Sequence, residues 1–417
     1  MSTSSPKTTN SFDLYQALSQ ASEGSSITIP AGEYQLEEPL KINKNVNLIG
    51  ETGDPTDVKL ISQHGAAVVI TAPSAQLCAV TLTNQNADEL ESSTDLVRSS
   101  IVVVLEGESE IVNCVITGKG DGIVVCGSQS APIVRYCTVK NCTCGGVWIF
   151  QKGRAILYRC NISHCGHAAL AVSEQSAVKA IKTEVHHSRN IGAYIIQNSF
   201  GRFRKCSFHH NALTGFELRD GSDCVCETCT MYSNQEHGVC VWDDSIGRFE
   251  HCDIYDNMSI QFLSLNSSPQ LVESEIHESP GIGVWFHKGS RGQMETCEVY
   301  NTADAAVVVS ENSDPAIIDS VFHHSRQTGV MSILNAQGRF RNCETFLCNN
   351  GGVLIADEAA PTFIDCYIHH NKEFGVQVIN QGEGKFYNNS FFDNGGCNWL
   401  IEDTAGDVVR EENTPNW

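Results

Sequence analysis

From Cys114 onward, short runs of apolar residues at spacing two alternate with Gly, Asn, Ser and charged residues, and the whole pattern returns every 23 residues. Spacing two is the period of a strand with one buried face. Stepping by 23 from Cys114 gives Cys137, Cys160, Thr183, Cys206, Cys229 and Cys252; one step of 22 reaches Ser274, then Cys297, Ser320, Cys343, Cys366 and Asn389. Two residues after each anchor, as at Ile116, Phe208 and Ile368, every position but Thr345 is apolar; three before it, as at Phe203, Phe340 and Phe386, all are. Ten after it runs a third apolar column, from Val124 to Trp399, usually led by Gly. Each repeat therefore reads as three short strands and three turns, too small a unit to bury its own face. Successive units must stack, each strand pairing in parallel with its equivalent one coil on. The pattern predicts an all-β chain, a single-stranded parallel β-helix of about 23 residues per coil.

The flanks extend this to one solenoid domain, although a length of 417 residues would allow two or three domains. Phe12, Leu14, Tyr15, Leu18 and Ala21 fall on one side of a short helix within residues 11–22, the cap that an open solenoid end requires. Residues 1–10 read as a disordered tail and 11–401 as the β-helix with its helical cap, interrupted by a polar loop near 84–98. The acidic stretch 402–417 reads as a loose cap or a disordered end.

Charge and cysteine content narrow the partners and the compartment. Lys and Arg number 27 against 49 Asp and Glu, a net charge of -22 that repels a phosphate backbone, so nucleic acid is not an expected partner. Met1 to Asn10 contain no apolar h-region, and no run of apolar residues is long enough to span a bilayer, so neither export nor a membrane is expected and the location is read as cytoplasmic. Nineteen cysteines in a long chain without a leader point to a reducing compartment rather than to disulfides. Their 23-residue spacing makes the anchors a stack of small, inward-facing side chains filling a tight corner. Cys224, Cys226 and Cys229 include one Cys-x-x-Cys that no second pair answers, so no metal or other cofactor is expected.

Runs such as Cys206 to Leu218 and Cys366 to Val378, each with a His-His-Asn turn and a Gly-led strand, resemble the repeat of the carbohydrate-binding and sugar-hydrolase (CASH) domains. That family takes in pectin lyase-like enzymes, NosD-type proteins and the β-helical F-box proteins. The opening, Leu14 through Ile27-Thr-Ile-Pro-Ala-Gly-Glu-Tyr to Val46-Asn-Leu-Ile-Gly-Glu, looks most like the entry to the F-box type of helix. The resemblance, over about residues 11–401, implies a right-handed, pectin lyase-like solenoid, and the preference of parallel crossovers gives the same hand. It implies little about function, because β-helices host lyases, hydrolases, epimerases and binding proteins alike.

Two outward columns carry the candidate chemistry. Three residues after the anchors stand His186, His209, Tyr232, Tyr255, His277, Tyr300, His323, Phe346, His369 and Phe392, ten consecutive rings flanked by Glu184, Asp253, Glu275, Glu298 and Glu344. Rings at strand spacing stabilise a sheet, and an exposed stripe of them also marks a binding surface for protein, peptide or glycan. The second column, between the two core positions of the Gly-led strand, includes Trp148, Tyr194, Leu263, Trp285, Met331 and Leu354. An outward face so apolar implies cover by another chain or by the protein's own tail, or a register wrong by one. A discontinuous basic line, Lys179, Arg202, Arg248, Arg339 and Lys385, reads as a solvated face or as a seat for a uronate chain.

No catalytic constellation assembles from sequence. Asp243 with Asp244 and Asp220 with Asp223 lie in turns about one coil apart, and Arg219 and Arg248 fall near them, but none falls into a pectinase or epimerase motif. The expectation is a non-catalytic scaffold that binds another protein or a polysaccharide through the ring stripe, with homo-oligomerisation left open. Two alternatives stand beside it: a carbohydrate-active lyase, hydrolase or epimerase, and a self-assembling rod.

Overall fold

The computed structural model describes residues 12–87 and 95–415. The expected tail 1–10 and the middle of the expected loop, residues 88–94, lie outside the described residues. The chain divides into two units, residues 1–190 and 191–417.

Both units are parallel β-solenoids with the predicted three strands per coil. A representative coil of the first unit is Arg154–Tyr158, Asn161–Ser163 and Leu170–Val172; one of the second is Asp223–Glu227, Thr230–Tyr232 and Val239–Trp242. We call the sheets to which these strands belong, in that order, the first, second and third sheet. Each strand pairs in parallel with its equivalents in adjacent coils, as Ser207–His209 does with Thr230–Tyr232 and that strand with Asp253–Tyr255. Alternation then sends Phe208, Met231 and Ile254 into the core.

Each corner has its own device. The residue before every anchor sits in the left-handed region whatever its type, as Tyr136, Arg159 and Lys182 show with φ of 57°, 52° and 51°. The anchor behind it is buried, and its thiol donates to the carbonyl two residues back, Cys137 to Arg135 and Cys343 to Arg341. All nineteen cysteines are thiols. In the next corner the positive φ belongs to His210, Ser233 and Asp256, not to the asparagines that follow them. Asn211, Asn234 and Asn257 are instead wholly buried and form a ladder, each amide bonded to the next. Asparagine stands here for its hydrogen-bonding capacity, not for tolerance of a positive φ.

The ends differ from expectation on one side only. The cap is the helix Leu14–Gln20, its first turn closed by Asp13, with Leu14 and Leu18 buried. At the other end the segment read as a loose tail continues the coil: Val408–Glu411 pairs with Gly384–Tyr387, and Thr414 bridges to Ser390. Val408 and Val409 supply an edge that can pair, and buried Asn413 extends the column of Asn389.

The apolar outer column lies on the third sheet in the predicted register, Tyr194 beside Glu217 and Leu263 beside Trp285. One coil is slipped: Val124, not Val125, pairs with Trp148. Part of this column is covered by neighbouring side chains of the same chain. In the second unit Cys240, Ile260 and Leu263 bury one another, with Trp242, Ile282 and Trp285 packed against them. In the first unit Leu96 and Val97 of the short helix Leu96–Ser99 cover Val69 and Val103.

Candidate functional site

The ring stripe stands on the outer face of the second sheet. His186 belongs to the first unit, where its Nδ1 lies 2.6 Å from Nδ1 of His187. The other nine rings, His209 to Phe392, form one ladder in the second unit, with successive centroids 4.4–5.3 Å apart and planes within 4–21° of parallel. Offset stacking at this spacing is attractive, and each ring covers the faces of its neighbours. The stripe is therefore not a bare aromatic ridge. It offers edges, and only the terminal Phe392 is largely open, at 41% exposure.

Those edges are polar and oriented. His277 Nε2 lies 3.0 Å from Asp253, His323 Nε2 2.7 Å from Glu298, and His369 Nε2 2.8 Å from Glu344, each carboxylate coming from one coil earlier. A carboxylate accepts, so in each pair Nε2 carries the proton. Nδ1 of His323 and of His369 lies 2.6 and 2.7 Å from Nδ1 of His324 and His370, so within each pair one ring donates to the other. Burial by itself lowers the pKa of His277, but the bond to Asp253 and the neighbouring carboxylates outweigh it and leave the pKa raised. The second histidines sit at positive φ in the turn, their Nδ1 atoms turned to their neighbours rather than to a shared ion.

A second polar group lies on the third sheet of the second unit, where Glu217 interrupts the apolar column. Glu217 is buried between Tyr194 and Cys240 in that column, and burial raises its pKa, with Arg219 opposing. Arg219 Nε stands 3.8 Å from Glu217 and 3.6 Å from Asp243, and its guanidinium 4.6 Å from the centroid of Trp242, with Tyr194 close by. Nearby, Glu236 accepts from Thr214, and burial lowers the pKa of His237, whose Nδ1 accepts from the amide of Ile260. One protected carboxyl and one exposed carboxylate thus share a guanidinium beside an indole and a phenol, a set suited to proton transfer.

Of the carboxylates weighed from sequence, only Asp243 joins this group. Asp223 lies in the first-sheet strand Asp223–Glu227, and Arg248, on the same sheet, pairs with Glu250. Glu217 was missed because its column was read for its apolar majority. The signal was present, since only Glu217 and Gln377 break that column. Of the six residues read as an interface, Trp148 lies in the first unit, stacked on Phe150 at 4.1 Å, and the other five in the second.

Comparison with known proteins agrees with the architecture. A family model described as "Right handed beta helix region" matches residues 99–250, 214–354 and 262–414. No curated protein sequence matches. Among solved structures, a chain of the Vag8–C1 inhibitor complex superposes with a TM-score of 0.54 at 8% identity, covering 94% of this chain and 100% of that one. The A-module of the Azotobacter vinelandii mannuronan C-5 epimerase AlgE6 gives 0.35 at 13% identity, covering 96% and 93%. Pectin methylesterase PemA from Erwinia chrysanthemi gives 0.37 at 14% identity, covering 50% and 78%. At such identities the likeness speaks for the fold alone.

Proposed function

Because the chain belongs to the right-handed β-helix family, a fold that carries binding as readily as catalysis, we propose that it is a non-catalytic scaffold whose second-sheet face binds another macromolecule. The observation that carries this reading is the nine-ring ladder, which sets a ring edge on each of nine successive coils. A compact substrate would use one or two rungs, whereas a periodic row suits an extended partner. Asp253, Glu275, Glu298 and Glu344 stand beside the ring edges, and no Lys or Arg pairs with them among the described residues. The partner is therefore read as a protein presenting a cationic segment. Because the ring faces are covered, stacking on a sugar is not how this row would bind.

Calorimetric titration with an oligo-lysine peptide and, separately, an oligouronate tests the reading. The peptide is expected to bind the wild-type chain, and a variant carrying Glu275→Gln, Glu298→Gln and Glu344→Gln to bind it at least about tenfold more weakly, roughly 1.4 kcal/mol for three rim carboxylates. Equal binding by both chains, or no binding, overturns it.

A second reading, a carbohydrate-active enzyme, is favoured by the Glu217 group alone. Its test is release of reducing ends or unsaturated products from a polysaccharide panel, with loss of that release in Glu217→Gln.

A further inference from the structure

The net charge conceals two opposite surfaces. Residues 131–190 hold eight Lys or Arg against two acidic residues, and residues 250–300 hold eight Asp or Glu against two basic ones. The first set lies in the first unit, where strands Arg154–Tyr158 and Ala177–Ile181 pair on the first sheet and the turn after them presents Arg159 and Lys182. Arg154, Arg159, Lys179 and Lys182 are exposed, and none pairs with a carboxylate among the described residues. Arg159 is held over Tyr136 and Tyr158, 5.9 and 5.5 Å from their centroids, and Tyr136 remains 49% exposed.

We propose that this basic belt docks on the acidic ring row of a second copy of the chain. The inference rests on the reading of that row as a binding face and names its partner. On the belt, Arg154 and Lys179 pair with Ala177 and Ile156, so only its turn column repeats charge at the strand spacing of about 4.8 Å, a spacing that the carboxylates of the row share. Lys182 follows Arg159 in one turn column, and Glu278 follows Asp256 in another. A free polyanion fits less well. A second copy presents eight carboxylates over residues 250–300 in a fixed array. Belt and row are different surfaces, so the contact sets basic residues of one copy against acidic residues of the other.

Sedimentation velocity tests this with two reversed chains: Arg159→Glu, Lys179→Glu, Lys182→Glu for the belt, and Asp256→Lys, Glu275→Lys, Glu278→Lys for the row, both checked by circular dichroism. The wild-type chain is expected to associate at about 50 mM salt and to lose at least about tenfold in affinity at about 0.5 M, where screening shortens to a few ångströms. Each reversed chain alone is expected to stay monomeric, and their equal mixture to associate again. A monomeric wild-type chain at low salt, or a mixture that fails to associate, overturns the proposal. So does a monomeric chain whose belt instead captures oligodeoxythymidylate. Oligo-lysine binding by the wild-type chain, and its loss in Glu275→Gln, Glu298→Gln, Glu344→Gln, separates the two failures: if both are seen, only the self-docking falls; if not, the platform reading falls with it.

Discussion

Replacing Asp121 by asparagine tests the electrostatics of the first unit's core directly. Asp121 is 3% exposed, opens the strand Asp121–Cys126 and pairs with Ser100. Its Oδ1 accepts from the amide of Gly145 at 2.7 Å, and its Oδ2 has no hydrogen-bond partner. Burial pushes the carboxyl up to about 7, the Gly145 bond only partly opposing. Against an ordinary value near 3.9, that is about 3 pH units at about 1.36 kcal/mol each, or roughly 4 kcal/mol. The sign follows from proton binding. Between about pH 4 and 7 the native state holds a proton that the unfolded chain has lost, so stability falls by about 1.4 kcal/mol per unit as pH rises through that window. Below it both states are protonated and nothing is lost; above it both are ionised and the whole cost stands. Asparagine keeps the acceptor for Gly145 and does not titrate. Hydrogen–deuterium exchange of the strand Asp121–Cys126, corrected for intrinsic rate, should show protection falling with pH more steeply in the wild-type chain than in Asp121→Asn, the gap widening up to about pH 7. Parallel pH profiles for the two chains would refute the reasoning.

Three further outcomes are expected. Asn234→Ala removes an amide that bonds Asn211, Asn257 and the carbonyl of Phe208 in a buried corner, so urea unfolding should show a loss of about 3 kcal/mol, while Ser233→Ala on the exposed side of that turn should cost under about 0.5. Iodoacetamide applied to the native chain at about pH 8, near an ordinary thiol pKa, should label only Cys78, Cys126, Cys144 and Cys397 within the hour, as read by peptide mass spectrometry. The remaining thiols are buried, and burial pushes Cys160 up to about 12. Asp253→Asn should lower the pKa of His277 in an NMR titration, because it removes the carboxylate that outweighs burial at that ring.

How far the sequence speaks depends on whether a feature is periodic. The three strands, the core columns and the outward direction of the ring stripe were legible because each recurs at 23 residues, and a single register error would have inverted every burial class. The final coil was harder to read, since Val408 and Val409 are too few to establish a period and the acidic residues around them dominate the composition. The ladder's covered faces were not legible at all, because a column says which side a ring leaves the sheet and nothing about its rotation onto the next ring. Glu217, Arg219 and Asp243 stand at three different positions of the repeat, and only rung pairing together with the positive φ of Asp243 brings them to one guanidinium.

Charge was read from the sequence as an average over the chain. A net charge governs long-range repulsion, but at physiological salt fields decay over roughly 8 Å, less than two strand spacings. At that range Arg159 and Lys182 are felt as a cationic surface regardless of the carboxylates elsewhere, and Asp256 and Glu278 as an anionic one. In a repeat protein each coil contacts its neighbours in sequence. Local charge blocks in the sequence therefore map directly onto local faces, and a chain with a large net charge of one sign still carries the complement of its own most charged face.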